Sequence, residues 1–303
     1  MIAGSGSSRS VEQAQARFGQ DAFAGWLGVT VREVAHERAV LVLPFRPEHL
    51  NVVGVLNGGA SASLLSMAGT LAAWTGADLD GDPQLRCVDL SVQYLAPAGE
   101  EDVVAEARVL RRGRGLVFLD VALRSHAGNP ICQGLLSYQT SDYAGQTPRL
   151  RAQHVPLPAP TPLLPPAAHR LFHGYVRKLD ITPLHQSPGR VRLRMPCTAM
   201  HVDERGQLHA GALASIVDIA AVTASWSLVP RREGARGSTI GMQVSYPSGA
   251  AEAVVADAHV QQRSEELLFS TVHVTTAASG QLVAMGQVSY RLLEPWPEGA
   301  DSS

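Results

Sequence analysis

The chain has 303 residues, of which 45% are hydrophobic and 17% charged, with a formal net charge of −2. That length suggests roughly two domains, and the near-neutral charge excludes the basic footprint that nucleic-acid binding leaves. Three scattered cysteines, Cys87, Cys132 and Cys197, exclude a disulfide framework and fit a reducing, cytoplasmic setting.

The elements are taken in chain order. Met1 to Ser10 is rich in Gly and Ser and lacks the apolar core of a signal peptide. An amphipathic helix is expected around Val11 to Trp26, then a strand over Arg38 to Leu43 and a polar loop carrying Asn51. A helix rich in Gly and Ala begins at Asn57-Gly58-Gly59. Strands follow over Val88 to Tyr94, Val103 to Leu110, Val117 to Leu123 and Gln133 to Tyr138, with turns such as Ala127-Gly128-Asn129 between them. Arg111, Arg112 and Arg114 cluster in one of these turns.

Residues 144–166 hold Pro148, Pro156, Pro158, Pro160, Pro162, Pro165 and Pro166. So many prolines favour an extended, semi-rigid linker. Beyond it the same order returns. Asn57-Gly58-Gly59-Ala60-Ser61-Ala62-Ser63-Leu64 reappears as His209-Ala210-Gly211-Ala212-Leu213-Ala214-Ser215-Ile216, and the pairs Pro44 and Pro196, Tyr94 and Tyr246, and Gly128 and Gly280 keep that spacing. A constant offset over most of the chain implies one fold duplicated and fused. The expected units are 11–143 and 167–293, and the tail after Pro295 is expected to be disordered. At matching positions the copies differ: Ser66 against Asp218, and Asn51 against Asp203.

The apolar run from Ala210 to Leu228 carries Asp218 near its centre. A central Asp costs about 2.5–3.5 kcal/mol on membrane insertion, so a buried helix of a soluble protein is expected, with no membrane partner. One long helix of small residues against a strongly antiparallel sheet, twice over, is an α+β layer design. The histidines form no metal motif with cysteines or carboxylates, so neither a metal nor a cofactor is expected.

The run Gly206-Gln207-Leu208-His209-Ala210-Gly211, ending seven residues on at Asp218, resembles the G-x-x-H-G-G-x-x-x-x-x-x-D signature of hotdog-fold acyl-CoA thioesterases of the phenylacetate/4-hydroxybenzoyl-CoA type. The first copy is similar, with Asn57 for the His and Ser66 for the acid. Val88 to Pro97, Gly241 to Tyr246, and the endings Ser137-Tyr138 and Ser289-Tyr290 resemble that family's later strands. The resemblance implies two tandem hotdog domains forming a pseudo-dimer within one chain, with acyl-CoA as substrate; a homodimer of such chains is left open. It also implies sites between the copies, each taking a polar residue and a backbone N–H from one copy and a carboxylate from the other.

Site one would then combine Asn51, the Gly58 N–H, Asp218 and a supporting hydroxyl on Thr239 as the catalytic set. Gly59, His209, Arg112 and Arg114 would contribute to substrate binding. Site two would combine Asp203 and the Ala210 N–H with Ser66 and Cys87. A serine there has no visible partner to activate it, so one competent site per chain is expected. Asp218 would act as general base or nucleophile, which the sequence does not separate.

Each residue has a plainer reading. Asp218 would be a structural carboxylate, Asn51 and Asp203 turn-formers, and Gly58 a packing glycine. His209, matched by Asn57, would position its loop, and the arginines would be a solvated turn. A competing class is a non-catalytic acyl-CoA-binding or lipid-binding double-hotdog protein. Hotdog dehydratases are disfavoured, because Asp218 to Thr223 offers no histidine.

Overall fold

A computed structural model describes residues 10–77, 85–140, 174–229 and 235–293. The expected proline-rich linker and the expected disordered tail after Pro295 lie outside the described residues.

The first helical stretch divides in two. Ser10 and Gln13 form a capping box at the start of α1 (Val11–Phe18), which ends at Gly19. Asp21 accepts from the Ala24 N–H and starts α2 (Ala22–Leu27), which closes at Gly28 with φ +73°. The single helix expected over Val11 to Trp26 is broken because Asp21 is a strong N-cap, and a cap residue sits outside helical φ/ψ.

Next come β1 (Thr30–Ala35), β2 (Arg38–Leu43), the long helix α3 (Gly58–Thr75), and β3 (Arg86–Tyr94), β4 (Val103–Arg112), β5 (Leu116–Ser125) and β6 (Pro130–Gln139). The second half repeats this with α4 (Gly174–Lys178), β7 (Thr182–Ser187), β8 (Arg190–Met195), α5 (Ala210–Trp226), β9 (Arg236–Ser245), β10 (Val254–Ser264), β11 (Leu267–Thr276) and β12 (Leu282–Leu293). β1 was not expected: Val31 is its only buried residue, so it lacks the apolar alternation that marks a half-buried strand.

All strands join one 12-stranded antiparallel sheet in the order β1-β2-β4-β5-β6-β3-β9-β12-β11-β10-β8-β7. The order is a mirror about the β3–β9 pair, where Asp89 faces Ser245 and Gln93 faces Gly241. The Ser245 hydroxyl donates to Asp89 Oδ2 at 2.9 Å across this seam. This is the pseudo-dimer of two α+β hotdog units that the resemblance implies. No helix among the described residues is long and apolar enough to cross a membrane.

Both long helices lie on one face of the sheet and touch each other. Each is buried on nearly every side, since one face meets its own sheet and another meets the partner helix. Contact this close requires small residues. A Cβ on Gly59 would lie 2.8 Å from the Ser215 Cβ, and one on Gly211 would lie 2.7 Å from the Ser63 Cα. The two serines meet at 3.3 Å between hydroxyls, and the Tyr175 hydroxyl of α4 lies 3.1 Å from Ser63 and 2.9 Å from Ser215. Ser215 Oγ also donates to the Gly59 carbonyl at 3.1 Å. This polar knot is buried and satisfied, as a buried polar group must be.

Gly211→Ala therefore pushes a methyl group into the Ser63 backbone, which cannot rotate aside. The expected cost is about 1–3 kcal/mol, read as a lower urea midpoint with an unchanged slope.

Candidate active site

The helix crossing decides which side chains meet. It carries Asp218, two turns into α5, against Gly58 at the first turn of α3: a Cβ on Gly58 would lie 2.7 Å from Asp218 Oδ2. Thr239 on β9 donates its hydroxyl to Asp218 Oδ1 at 2.7 Å. One carboxylate oxygen is thus held, and the other faces Gly58. The side chain is 4% exposed. Burial pushes its carboxyl up from 3.8 to about 6, against the opposing effect of the Thr239 hydrogen bond.

The start of α3 is prepared for a polar ligand. Asn57 caps the helix through Oδ1, which accepts from the Gly59 N–H at 2.9 Å. That leaves the Gly58 N–H outside the cap, at the positive end of the helix dipole. The Tyr94 hydroxyl donates to the Gly58 carbonyl at 3.0 Å and fixes this turn from below.

Gly58, Asp218 and Thr239 line a cavity of about 1060 Å³, and Asn51 lines it too. Asn51 Oδ1 accepts from the N–H groups of Val53 and Val55 at 3.0 and 3.3 Å, so this oxygen shapes the loop, and what the side chain offers the cavity is its amide NH2.

The other residues named from the sequence lie elsewhere. Gly59 is packed against Ser215, and its N–H is taken by Asn57, so it is a packing residue of the helix crossing and does not line the cavity. His209 caps α5, with Nδ1 accepting from the Gly211 N–H at 2.9 Å, and lines the second cavity, where its Nε2 lies 3.6 Å from Asp21 Oδ2. Arg112 pairs with Glu37 at 2.6 Å and donates to the Ala73 carbonyl at 2.7 Å near the end of α3. Neither Arg112 nor Arg114 lines the cavity that holds Asp218. The basic side chains at that cavity are Arg236 and Arg291, at the same end of the antiparallel β9–β12 pair. They escaped sequence reading because only strand pairing brings them together.

Aromatic side chains were also missed. Tyr94, Trp226 and Tyr290 line the cavity, although nothing in their spacing aims them there. Trp226 Nε1 donates to the Tyr290 hydroxyl at 2.9 Å, which leaves their ring faces as apolar wall.

The equivalent place on the other side of the pseudo-dyad is different. A cavity of about 250 Å³ is lined by Ser66 where the first has Asp218, by Cys87 where it has Thr239, and by Asp203 where it has Asn51. Asp203 is tied to Arg205 at 2.6 Å and accepts from the Arg205 and Gln207 N–H groups within its own loop. α1 closes over this side, with Arg17 paired to Glu204 at 2.5 Å. Burial pushes the Cys87 thiol up to about 12, so it stays protonated and non-nucleophilic at neutral pH. Among the described residues, no three His, Cys, Asp or Glu side chains converge as a metal site would require.

Two unequal cavities between paired hotdog units, one of them with a buried carboxylate facing the first turn of the opposing long helix, define a double-hotdog protein of the thioester-hydrolysing class. Known proteins agree. Residues 53–132 match the family model described as the thioesterase superfamily. Acyl-coenzyme A thioesterase 13 of Homo sapiens is 33% identical over 109 residues, which cover 35% of this chain and 76% of that protein. The chain belongs to the thioesterase superfamily. Two solved structures share the fold over nearly the whole length. The tesB protein of Mycobacterium avium subs paratuberculosis is 13% identical with a TM-score of 0.60, over 94% of this chain and 100% of that one. The acyl-CoA thioesterase II TesB2 of Mycobacterium marinum is 15% identical with a TM-score of 0.59, over 92% and 98%.

A raised carboxyl pKa has a cost in stability. Its folded value lies above its unfolded one, so the folded state is favoured at low pH, and that advantage is lost as pH rises from about 4 through about 6. Removing the charge should relieve this. Asp218→Asn is expected to melt several degrees above wild type near pH 8, on the order of 3 kcal/mol at most, with the gain vanishing near pH 4. Thermal melts at the two pH values check it.

Proposed function

We propose that the chain hydrolyses acyl-CoA thioesters to a free acid and CoA, at one competent site per chain built from both halves. The observation that carries this reading is the free Asp218 Oδ2 facing the first turn of α3, beside an uncapped N–H.

In this reading the thioester carbonyl oxygen sits on the Gly58 N–H. That donor and the helix dipole stabilise the negative charge that develops on the oxygen. Gly58 has no side chain between the carbonyl and Asp218. Asp218 Oδ2 takes a proton from water as the water attacks the carbonyl carbon, and the tetrahedral species then expels the CoA thiolate, which takes up the proton. A carboxylate with a pKa near 6 is well matched to general-base work near neutral pH. Thr239 keeps the carboxylate oriented, and the Asn51 amide NH2 holds the water or the carbonyl. Asn51 is therefore assigned two tasks, loop and substrate.

The cavity around this centre supports an acyl-CoA. Its lining is mostly apolar, and four of its apolar residues, Val52, Val53, Leu95 and Leu293, are exposed at the surface. Exposed apolar side chains gathered at one opening mark a binding surface rather than chance. Arg236 stands at the same cavity with no ion-pair partner among the described residues, and Arg291 pairs with Glu266 at 2.8 Å. We assign CoA phosphate recognition to Arg236 first, in place of Arg112 and Arg114.

Free-thiol release from short, long and aromatic acyl-CoAs tests the reading. Asp218→Asn is expected to lose about 10²–10⁴-fold in kcat/KM, the range for a general base, and Asn51→Ala to fall the same way. Ser66→Ala and Asp203→Ala are expected to stay near wild type. Wild-type kcat/KM should fall as pH drops below about 6. Single turnover in heavy-oxygen water should place the label in the acid at the first cycle; label-free acid would make Asp218 the nucleophile. Equal turnover by wild type and Asp218→Asn would remove Asp218 from the reaction.

A separate measurement addresses the mouth of the cavity. Arg236→Ala should raise KM several-fold, leave kcat unchanged and flatten the dependence on salt, since an exposed charge steers rather than catalyses. An unchanged KM would place the phosphates elsewhere.

A further inference from the structure

The second cavity has Ser66 where the first has Asp218. Its charge says more. The position that holds Ser238 beside the first cavity holds Arg86 beside the second, and Ser66 stands where Asp218 does. A carboxylate has been exchanged for a neutral hydroxyl, and a guanidinium has been added. At these two positions an acid has been lost and a cation gained.

Arg86 donates to the Tyr246 carbonyl at 2.8 Å and to Gln139 Oε1 at 2.7 Å, and makes no ion pair among the described residues. Burial is the main influence that disfavours its charged form; Cys87 opposes this and the like charge of Arg205 adds to it. Two other pairs of charges at this cavity are matched, Arg17 with Glu204 at 2.5 Å and Arg205 with Asp203 at 2.6 Å, and Asp21 is the remaining carboxylate of its lining. Asp21 is engaged as the cap of α2 and lies 3.6 Å from His209. The Ser66 hydroxyl is buried at the cavity wall and has no hydrogen-bond partner among the described residues. The first N–H of α5, on Ala210, also lies outside its helix cap, because His209 takes the N–H of Gly211. A guanidinium without an ion pair, a buried hydroxyl without a hydrogen-bond partner among the described residues and the first turn of α5 thus line one small cavity. Each is a donor that an anion with several acceptor oxygens would satisfy.

We propose that the second cavity is a binding site for a small monocarboxylate, whose carboxylate meets Arg86, Ser66 and the Ala210 N–H. The rest of the wall decides between carboxylate and phosphate. Phe18, Met67, Leu85, Leu208 and Leu213 supply an apolar surface for a short hydrocarbon tail. A volume of about 250 Å³ admits a short acid and not a CoA. Short acids are the chemical class that thioester hydrolysis releases. The proposal does not rest on hydrolysis at the first cavity, because binding is read without turnover.

The test is isothermal titration of hexanoate near pH 8, where the ionised Asp218 disfavours a carboxylate in the first cavity. Wild type should bind one hexanoate per chain, and the neutral probe hexanamide and inorganic phosphate should not bind. Arg86→Gln should weaken hexanoate binding about tenfold or more, the effect of losing a charge-assisted contact, with thiol release from acyl-CoA unchanged. Arg86→Lys should fall between. Should Arg86→Gln fail to fold, Ser66→Asp, which puts a negative charge at the cavity wall, should abolish binding instead. No hexanoate binding by wild type at about 10 mM, where even a weak millimolar site fills, would overturn the proposal. So would equal binding of hexanamide, preference for phosphate, or hexanoate binding that Arg86→Gln leaves intact.

Discussion

The crossing of α3 and α5 is the contact on which the rest depends. Two helices on one face of a sheet normally stay 8–10 Å apart, the distance set by ordinary side chains. Gly59 against Ser215, and Gly211 against Ser63, remove the side chains that would hold them apart. Close approach lets Asp218 of one half reach Gly58 of the other, and it buries the carboxylate enough to raise its pKa. The continuous β3–β9 seam below, with Tyr94 and Tyr246 bonded to the first carbonyl of each helix, holds the crossing in register. Fold and site therefore share one contact, and a change that loosens the helices also moves the acid.

Duplication permits two outcomes from the same contact. The crossing is symmetric, but the groups it presents are not. On one side Asp218 and Thr239 form a polarised pair in a large cavity with apolar side chains at its opening. On the other Ser66 and Cys87 face a small cavity closed by α1, and Asp203 is drawn into its own loop by Arg205. A fused pseudo-dimer can vary one site without touching the other, which a symmetric homodimer cannot do, because each substitution there appears twice. The loss of the acid at Ser66 and the gain of Arg86 where the other half has Ser238 are changes of this kind.

Some of the site was legible in the chain and some was not. Asp218 was legible because an acid inside an apolar helix is costly unless it has a purpose, and the comparison with Ser66 pointed to one side. Thr239 and Asn51 were legible only through a family resemblance. Arg112 and Arg114 misled because clustered charge in a turn looks the same in sequence whether it faces a ligand or, like Arg112, an ion-pair partner and a helix end. Gly59 misled in another way. A glycine at a helix start serves close approach, and the sequence does not say whether a ligand or a second helix approaches. Arg236, Tyr94 and Tyr290 gave no signal, since their neighbours lie far along the chain and strand pairing alone gathers them.

What the chain determined by itself is what depends on local or periodic constraints. These include the duplication and its constant offset, the small-residue helices, most strands, and the loss of the acid from one copy. What only the tertiary structure decided is what depends on distance between remote residues. The contact of Gly59 with Ser215 and of Gly211 with Ser63 belonged there. So did the occupants of each cavity, the raised pKa of Asp218 and the uncompensated charge of Arg86. Periodicity and capping act over a few residues and leave a trace in order of appearance. Burial, pKa and cavity shape arise from groups more than a hundred residues apart, and only the packed helices and the shared sheet bring those groups within reach.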